Sequence, residues 1–257
     1  MRLRDNVLRI IFLLPIFLLH GCKEAVVTEQ PVIHQIAVTP SVTGTASAWL
    51  SDYIEETGST LIDLRPLAYP YALEAAEQGT MEAILTGFPP PTDWFATPLV
   101  LDAVAIIVHP DNPLRDIRIE SVQGLFSGAV SDWEELDGEA NPVEVVILLK
   151  TDELRATFEA ALPLAYDPPS SAVLAPSPEA VFEIVSQSPG AVGYVPFSMV
   201  EEEIQQVRVV RINGIRPGPS TIADHTYPVI LEILAVSPEE PTGPVRDWIG
   251  WIQAGIE

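Results

Sequence analysis

The sequence predicts an α/β protein whose sheets are largely parallel. Short β-branched apolar runs alternate with amphipathic helical patterns along the whole chain, the signature of strands joined by crossover helices. One run, LVLDAVAIIVHP (99–110), is long and β-branched enough to read as a buried strand. With 25 prolines in 257 residues, the connections read as punctuated loops between short elements.

Each element follows from its local pattern. IHQIAV (33–38) reads as a strand and TPSVTGT as the loop after it. Residues 46–56 read as a helix with Trp49 and Tyr53 four apart on one face, stopped by Gly58. Strands are expected at 61–64 and 83–85, with a short helix at 72–78 between them and the loop FPPPTDW before the long strand. A helix near 121–126, a strand at 143–149, helices in 150–162 and 178–186 and a strand at 191–195 continue the alternation. Strands at 207–212 and 229–236 and a helix at 245–252, carrying Trp248 and Trp251, complete it. In KTDELRATFEAAL (150–162), Leu154, Phe158 and Ala161 share a face, and Thr151 or Asp152 serves as N-cap.

The first 22 residues read as an export signal. Arg2, Arg4 and Arg9 precede an apolar run, Ile10–Leu19, that is shorter than the roughly 20 residues a membrane span needs. The run ends in Leu19-His20-Gly21-Cys22, which resembles the lipobox of bacterial lipoproteins and marks Cys22 as the lipidation site. Cys22 is also the sole cysteine, so no intramolecular disulfide exists. Residues 23–32 read as a tether. The chain carries 36 acidic against 13 basic residues, a net charge of −23, which excludes nucleic acid and anionic lipid as partners of the bulk surface. Membrane attachment therefore falls to the lipid anchor.

Catalytic patterns are missing. His34, His109 and His225 stand apart from one another, and there is no HExxH, cysteine cluster, GxSxG, P-loop or GxGxxG. Glu201-Glu202-Glu203 reads as a solvated acidic run. The chain is read as a non-enzyme, with no cofactor and no metal.

Several longer strings carry more information. DAVAIIVHPDNPL (102–114) leads into SVQGLFSGAVSDWEEL (121–136), and PGAVGYVPFS (189–198) is followed by INGIRPGPSTIADHTYPVILEILAV (212–236). With TPSVTGTASAWLSDYIEETG (39–58) at the start, these strings in this order resemble the phosphate-binding proteins of phosphate ABC transporters. Those are members of the two-lobed periplasmic-binding-protein superfamily. The resemblance runs from about Ile33 to Ile252.

That resemblance implies a Venus-flytrap fold: lobe one from residues 33–107 and 197–257, lobe two from 108–196, with hinge strands between them. Trp133, Tyr194 and Tyr227 are expected to pack the core. The resemblance also implies a monomeric, extracytoplasmic binding protein, lipid-anchored, delivering phosphate or a related oxyanion to an ABC permease. Its ligand-binding residues would be Ser41 and Thr43 in the first loop, Thr86 after the third strand, and Thr151 with Arg155 at the 150–162 helix. Arg155 either points at the ligand or pairs with Asp152 or Glu159. Where the family carries Ser-Gly-Thr-Arg, this chain has Asp152-Glu153-Leu154-Arg155. The family's Gly-Ser turn before residue 72 is replaced by LAYPYA, and its Ser-Asp pair after the strand at 83–85 by Thr86-Gly87. Two alternatives stay open. In one, the cleft is retuned to an organic or cationic solute, with Tyr69, Tyr71 and Phe88 as an aromatic wall. In the other, the fold serves as a sensor or scaffold that transports nothing.

Overall fold

A computed structural model describes residues 31–162, 167–200 and 206–255. The export signal, Cys22, most of the tether and the acidic run at 201–203 lie outside the described residues. β1 (His34–Val38) is followed by a 3-10 turn at Pro40–Val42 and by α1 (Thr43–Thr57), which stops at Gly58 as the sequence predicts, with Gly58 in the left-handed conformation. Then come β2 (Ile62–Pro66), α2 (Tyr69–Glu77), β3 (Ala83–Thr86) and the long β4 (Phe95–Val108). β5 (Asp116–Ile117), α3 (Ile119–Phe126), a 3-10 turn at Trp133–Leu136, β6 (Glu144–Leu148) and α4 (Glu153–Ala161) follow. After them are β7 (Val173–Ala175), α5 (Pro178–Gln187), β8 (Ala191–Pro196) and α6 (Phe197–Val200). The chain closes with β9 (Arg208–Val209), β10 (Arg211–Ile212), α7 (Pro219–Ala223), β11 (Ile230–Ser237) and α8 (Gly243–Ala254).

The main sheet runs β2-β1-β3-β11-β4-β8-β6-β7. β2, β1 and β3 are parallel, as are β8, β6 and β7, so each end is the crossover arrangement the alternation predicts. The joining strands are not parallel: β11 pairs antiparallel with both β3 and β4, and β4 with β8. β4 joins the two halves by changing partners. Phe95–Ala103 face β11, and Val104–Val108 face β8. Asp102 sits buried at that change, accepting from the Ser198 hydroxyl at 2.6 Å and tying β4 to α6. Burial raises its pKa.

Other departures are local. α2 begins at Tyr69, three residues earlier than expected, because Pro70 fits the first turn, where its missing N–H has no helical partner. The strand expected at 207–212 is two short pieces. Val210 N donates to the Ile106 carbonyl while Arg211 N turns to the Arg115 carbonyl, so pairing passes from β4 to β5 between them.

The core is continuous across both halves. Phe158 stacks on Tyr194 with ring centroids 4.2 Å apart, and Phe126 meets Phe158 edge-on at 4.8 Å. Trp133 and Tyr227 are buried and anchor elements as expected: the Trp133 indole donates to Gly190 O and the Tyr227 hydroxyl to Val104 O, both at 3.0 Å. In β8, a Cβ on Gly193 would overlap Val181 of α5. Gly193→Ala is therefore expected to cost about 1–3 kcal/mol by overpacking, read as a lower midpoint in urea unfolding. Residues 32–257 form one compact unit. Among the described residues no helix is long and apolar enough to cross a membrane.

Candidate functional site

Three pieces of backbone converge where the two half-sheets meet. The loop after β1 brings Thr39 and Ser41, the end of β3 brings Thr86 and Gly87, and the N-terminus of α4 brings Asp152 and Glu153. All but Gly87 are buried.

Ser41 Oγ donates to Asp152 Oδ1 at 2.6 Å across the cleft. The same carboxylate oxygen accepts from Leu154 N at 2.9 Å, so Asp152, rather than Thr151, caps α4. Beside it, the Thr39 hydroxyl is hydrogen-bonded to Glu153 Oε1 and to the Leu85 carbonyl. A hydroxyl has one proton and the carbonyl can only accept, so a protonated Glu153 lets both contacts be satisfied. Glu153 Oε2 is buried without a hydrogen-bond partner. Gly87 closes the third side: a Cβ there would overlap Leu231 and come within 3.0 Å of Glu153 Cγ. A larger residue there requires Leu231 to move and Glu153 to give by a few tenths of an ångström.

The electrostatics follow from burial. Loss of water, reinforced by the charge of Asp152, pushes the Glu153 carboxyl up to about 8, so it holds a proton at neutral pH. Burial also raises the Asp152 pKa, with Glu179 adding repulsion and the Ser41 hydroxyl and backbone N–H groups of α4 opposing it.

The sequence-predicted residues divide accordingly. Ser41 faces the cleft and meets Asp152. Thr43 donates its hydroxyl to Thr39 O at 3.0 Å, bracing the first loop. Thr86 accepts from Phe88 N at 3.1 Å and shapes the turn after β3. Thr151 is exposed. Arg155 is buried, but its Nε donates to Glu159 at 2.7 Å and its Nη1 to the Leu148 carbonyl at 2.8 Å. Of the two roles left open for Arg155, pairing with Glu159 is the one formed. The aromatic wall is not assembled: Tyr69 and Phe88 stack on each other at 4.6 Å, and Tyr71 is exposed.

Sequence reasoning singled out Asp152 and Glu153 as charges hostile to an anion, yet missed that they fill the site. The stripe of Leu154 and Phe158 marks the core-facing side of α4 but is silent on its first turn. That turn points end-on at a loop more than a hundred residues earlier. Thr39, next to the expected contacts, was the available clue.

Two parallel half-sheets on a shared long strand, with buried polar groups where they meet, define a fold of the periplasmic-binding-protein type. The model of the PBP superfamily domain matches residues 25–254, and the chain belongs to that superfamily. It is similar to the phosphate-binding protein PstS of Bacillus subtilis, with 26% identity over 153 residues, covering 59% of this chain and 49% of that protein. The chain spans about half the length of the curated relatives it matches. Among solved structures, its fold is similar to a Clostridium perfringens protein assigned as a phosphate ABC transporter substrate-binding protein and solved with bound phosphate. The TM-score is 0.78 at 19% identity, over 87% of this chain and 95% of that one. An ABC-type phosphate transport receptor from Vibrio cholerae gives 0.68 at 18% identity, over 86% and 93%. All three are named for binding, transport or reception.

Proposed function

We propose that this chain is the extracytoplasmic, lipid-anchored solute-binding component of an ABC-type importer, taking phosphate or a related oxyanion between two lobes. The observation that carries the reading is the aim of the donors. The Ser41 hydroxyl and the first free N–H of α4 converge on one Asp152 carboxylate oxygen, the chemistry an oxyanion would present. Asp152 and Glu153 occupy that point in this closed arrangement, and a bound oxyanion has to displace them. The names of the similar proteins support the ligand class, and Arg2, Arg4, Arg9 and Leu19–Cys22 support export and anchoring. The partner change along β4, between Ala103 and Val104, supports two lobes with closure between them, although it falls before the expected crossing at 107/108, and β9 and β10 pair with the end of β4 and with β5.

Calorimetric titration of the chain from Lys23 onward with inorganic phosphate, after stripping carried-over ligand, tests the proposal. One-to-one saturable binding is expected, weakening between pH 7 and 9 as Glu153 loses its proton near 8. A flat trace from folded, ligand-stripped protein at both pH values sinks the phosphate assignment. The Ser41–Asp152 and Thr39–Glu153 contacts then favour a second reading, in which the carboxylates never leave and the fold is a sensor or scaffold.

A further inference from the structure

The few basic residues of this acidic chain are unevenly placed. Arg115, Arg208, Arg211 and Arg216 all line one surface cavity of about 270 Å³, together with Pro110 and Val207, and no acidic side chain among the described residues lines it. Four of the 13 basic residues in the sequence thus share one concavity, against a net charge of −23 for the whole.

The backbone forces them together. β10 pairs with β5, and Arg211 N donates to Arg115 O at 3.0 Å, placing those two residues side by side. β9 hydrogen-bonds to the end of β4, setting Arg208 opposite Val108. Asn213 and Gly214 then turn the chain through positive φ, 53° and 79°, and Gly214 N donates to Asp116 Oδ1 at 2.9 Å. The Thr221 hydroxyl fixes the Arg216 carbonyl at 2.8 Å. None of these contacts uses a guanidinium group, and none of the four arginines is in an ion pair among the described residues. Of the nearby carboxylates, Asp116 takes Gly214 N, while the exposed Asp111 stays in solvent. Burial, and then the charge of Arg115, lowers the Arg208 pKa, with Asp111 opposing.

Four like charges around one concavity repel each other unless an anion sits among them. Guanidinium forks match phosphate oxygens two bonds at a time. The cavity falls below the roughly 300–1,000 Å³ usual for organic ligands, which favours a compact and highly charged occupant.

We propose that this arginine cavity is a second anion site, separate from the cleft, that takes a phosphate group. The group belongs either to a small molecule of the pyrophosphate class or to a phospholipid headgroup. The probes are pyrophosphate, by calorimetry at low salt, and phosphatidylglycerol against phosphatidylcholine vesicles, by flotation. Both use the chain from Lys23 onward, which contains the compact unit. Arg208→Ala/Arg216→Ala alters two side chains that are at least partly exposed, and circular dichroism checks its fold. The wild type is expected to bind one probe saturably and in a salt-sensitive way, and the double variant to bind it about tenfold or more weakly.

Arginine-dependent binding of pyrophosphate assigns the site to a free ligand. Arginine-dependent flotation with phosphatidylglycerol alone assigns it to a headgroup. Three results overturn the proposal: no binding of either probe, equal binding by the folded double variant, or arginine-dependent binding to polyglutamate alone. Because the cavity shares no residue with the cleft, a failed phosphate titration there leaves this test intact.

Discussion

Glu153→Gln is expected to flatten the fall in stability that the native protein shows between about pH 5 and pH 8. In the folded state Glu153 is buried and keeps its proton up to about 8, whereas the reference carboxyl ionises near 4.5. Between those values the unfolded chain releases a proton that the folded chain holds. Stability is therefore fully present below the lower value and falls as pH rises, levelling off above about 8. At about 1.4 kcal/mol per pH unit the ceiling is about 5 kcal/mol, and an effect on the order of 3 kcal/mol is expected. Gln cannot ionise, so its curve lacks this slope. Its amide can donate to Thr39 in place of the carboxyl proton, but the second amide proton has no partner, a cost of about 1–3 kcal/mol. The variant should thus be less stable than wild type at pH 5 and gain on it steadily toward pH 8. Asp102 and Asp152, also raised by burial, leave a slope of the same sign in both proteins. Urea unfolding at four pH values decides the matter, and parallel curves would refute it.

The second large effect concerns the ligand. Asp152→Ser/Glu153→Gly restores the small, hydroxyl-bearing turn of the family that the sequence resembles. It should raise affinity for inorganic phosphate by about tenfold or more at pH 7, and by more at pH 8.5. A carboxylate about 4 Å from a bound anion costs about 4 kcal/mol at an effective dielectric of roughly 20. Protonation relieves part of that cost at neutral pH, so the gain widens as Glu153 ionises. Ser keeps the cap on α4, and the opened helix N-terminus offers its N–H groups to the anion. Gly at the first helical position costs about 1 kcal/mol of stability, small beside the effect sought. Parallel titrations of variant and wild type measure the ratio. A folded variant no better than wild type would show that the convergence of Thr39, Ser41 and α4 is structural, and would favour the scaffold reading.

Much of the fold was legible because local patterns and tertiary needs agree. The β-branched run of β4 is buried on both faces, so it reads as a strand wherever it is placed. Gly58 stops α1 because the left-handed turn there suits glycine. The site was legible only as a location. The loop after β1, the Thr86–Gly87 turn and the start of α4 were identified by resemblance, and they do converge. Their contents were not legible. Whether Arg155 meets a ligand or Glu159, and whether Tyr69 stacks on a solute or on Phe88, depends on neighbours no local window contains.

The sequence by itself determined the alternation of strands and helices, the core faces of α1 and α4 and the acidity of the surface. These rest on periodicity and composition, which are properties of neighbouring residues. The tertiary structure alone decided that β11 lies antiparallel between β3 and β4, that four arginines meet around one cavity, and that two carboxylates sit inside the cleft. Each of these joins residues far apart in the chain. A carboxyl that would ionise in water becomes, once Thr39 and Gly87 enclose it away from solvent, a protonated group that fills the candidate site.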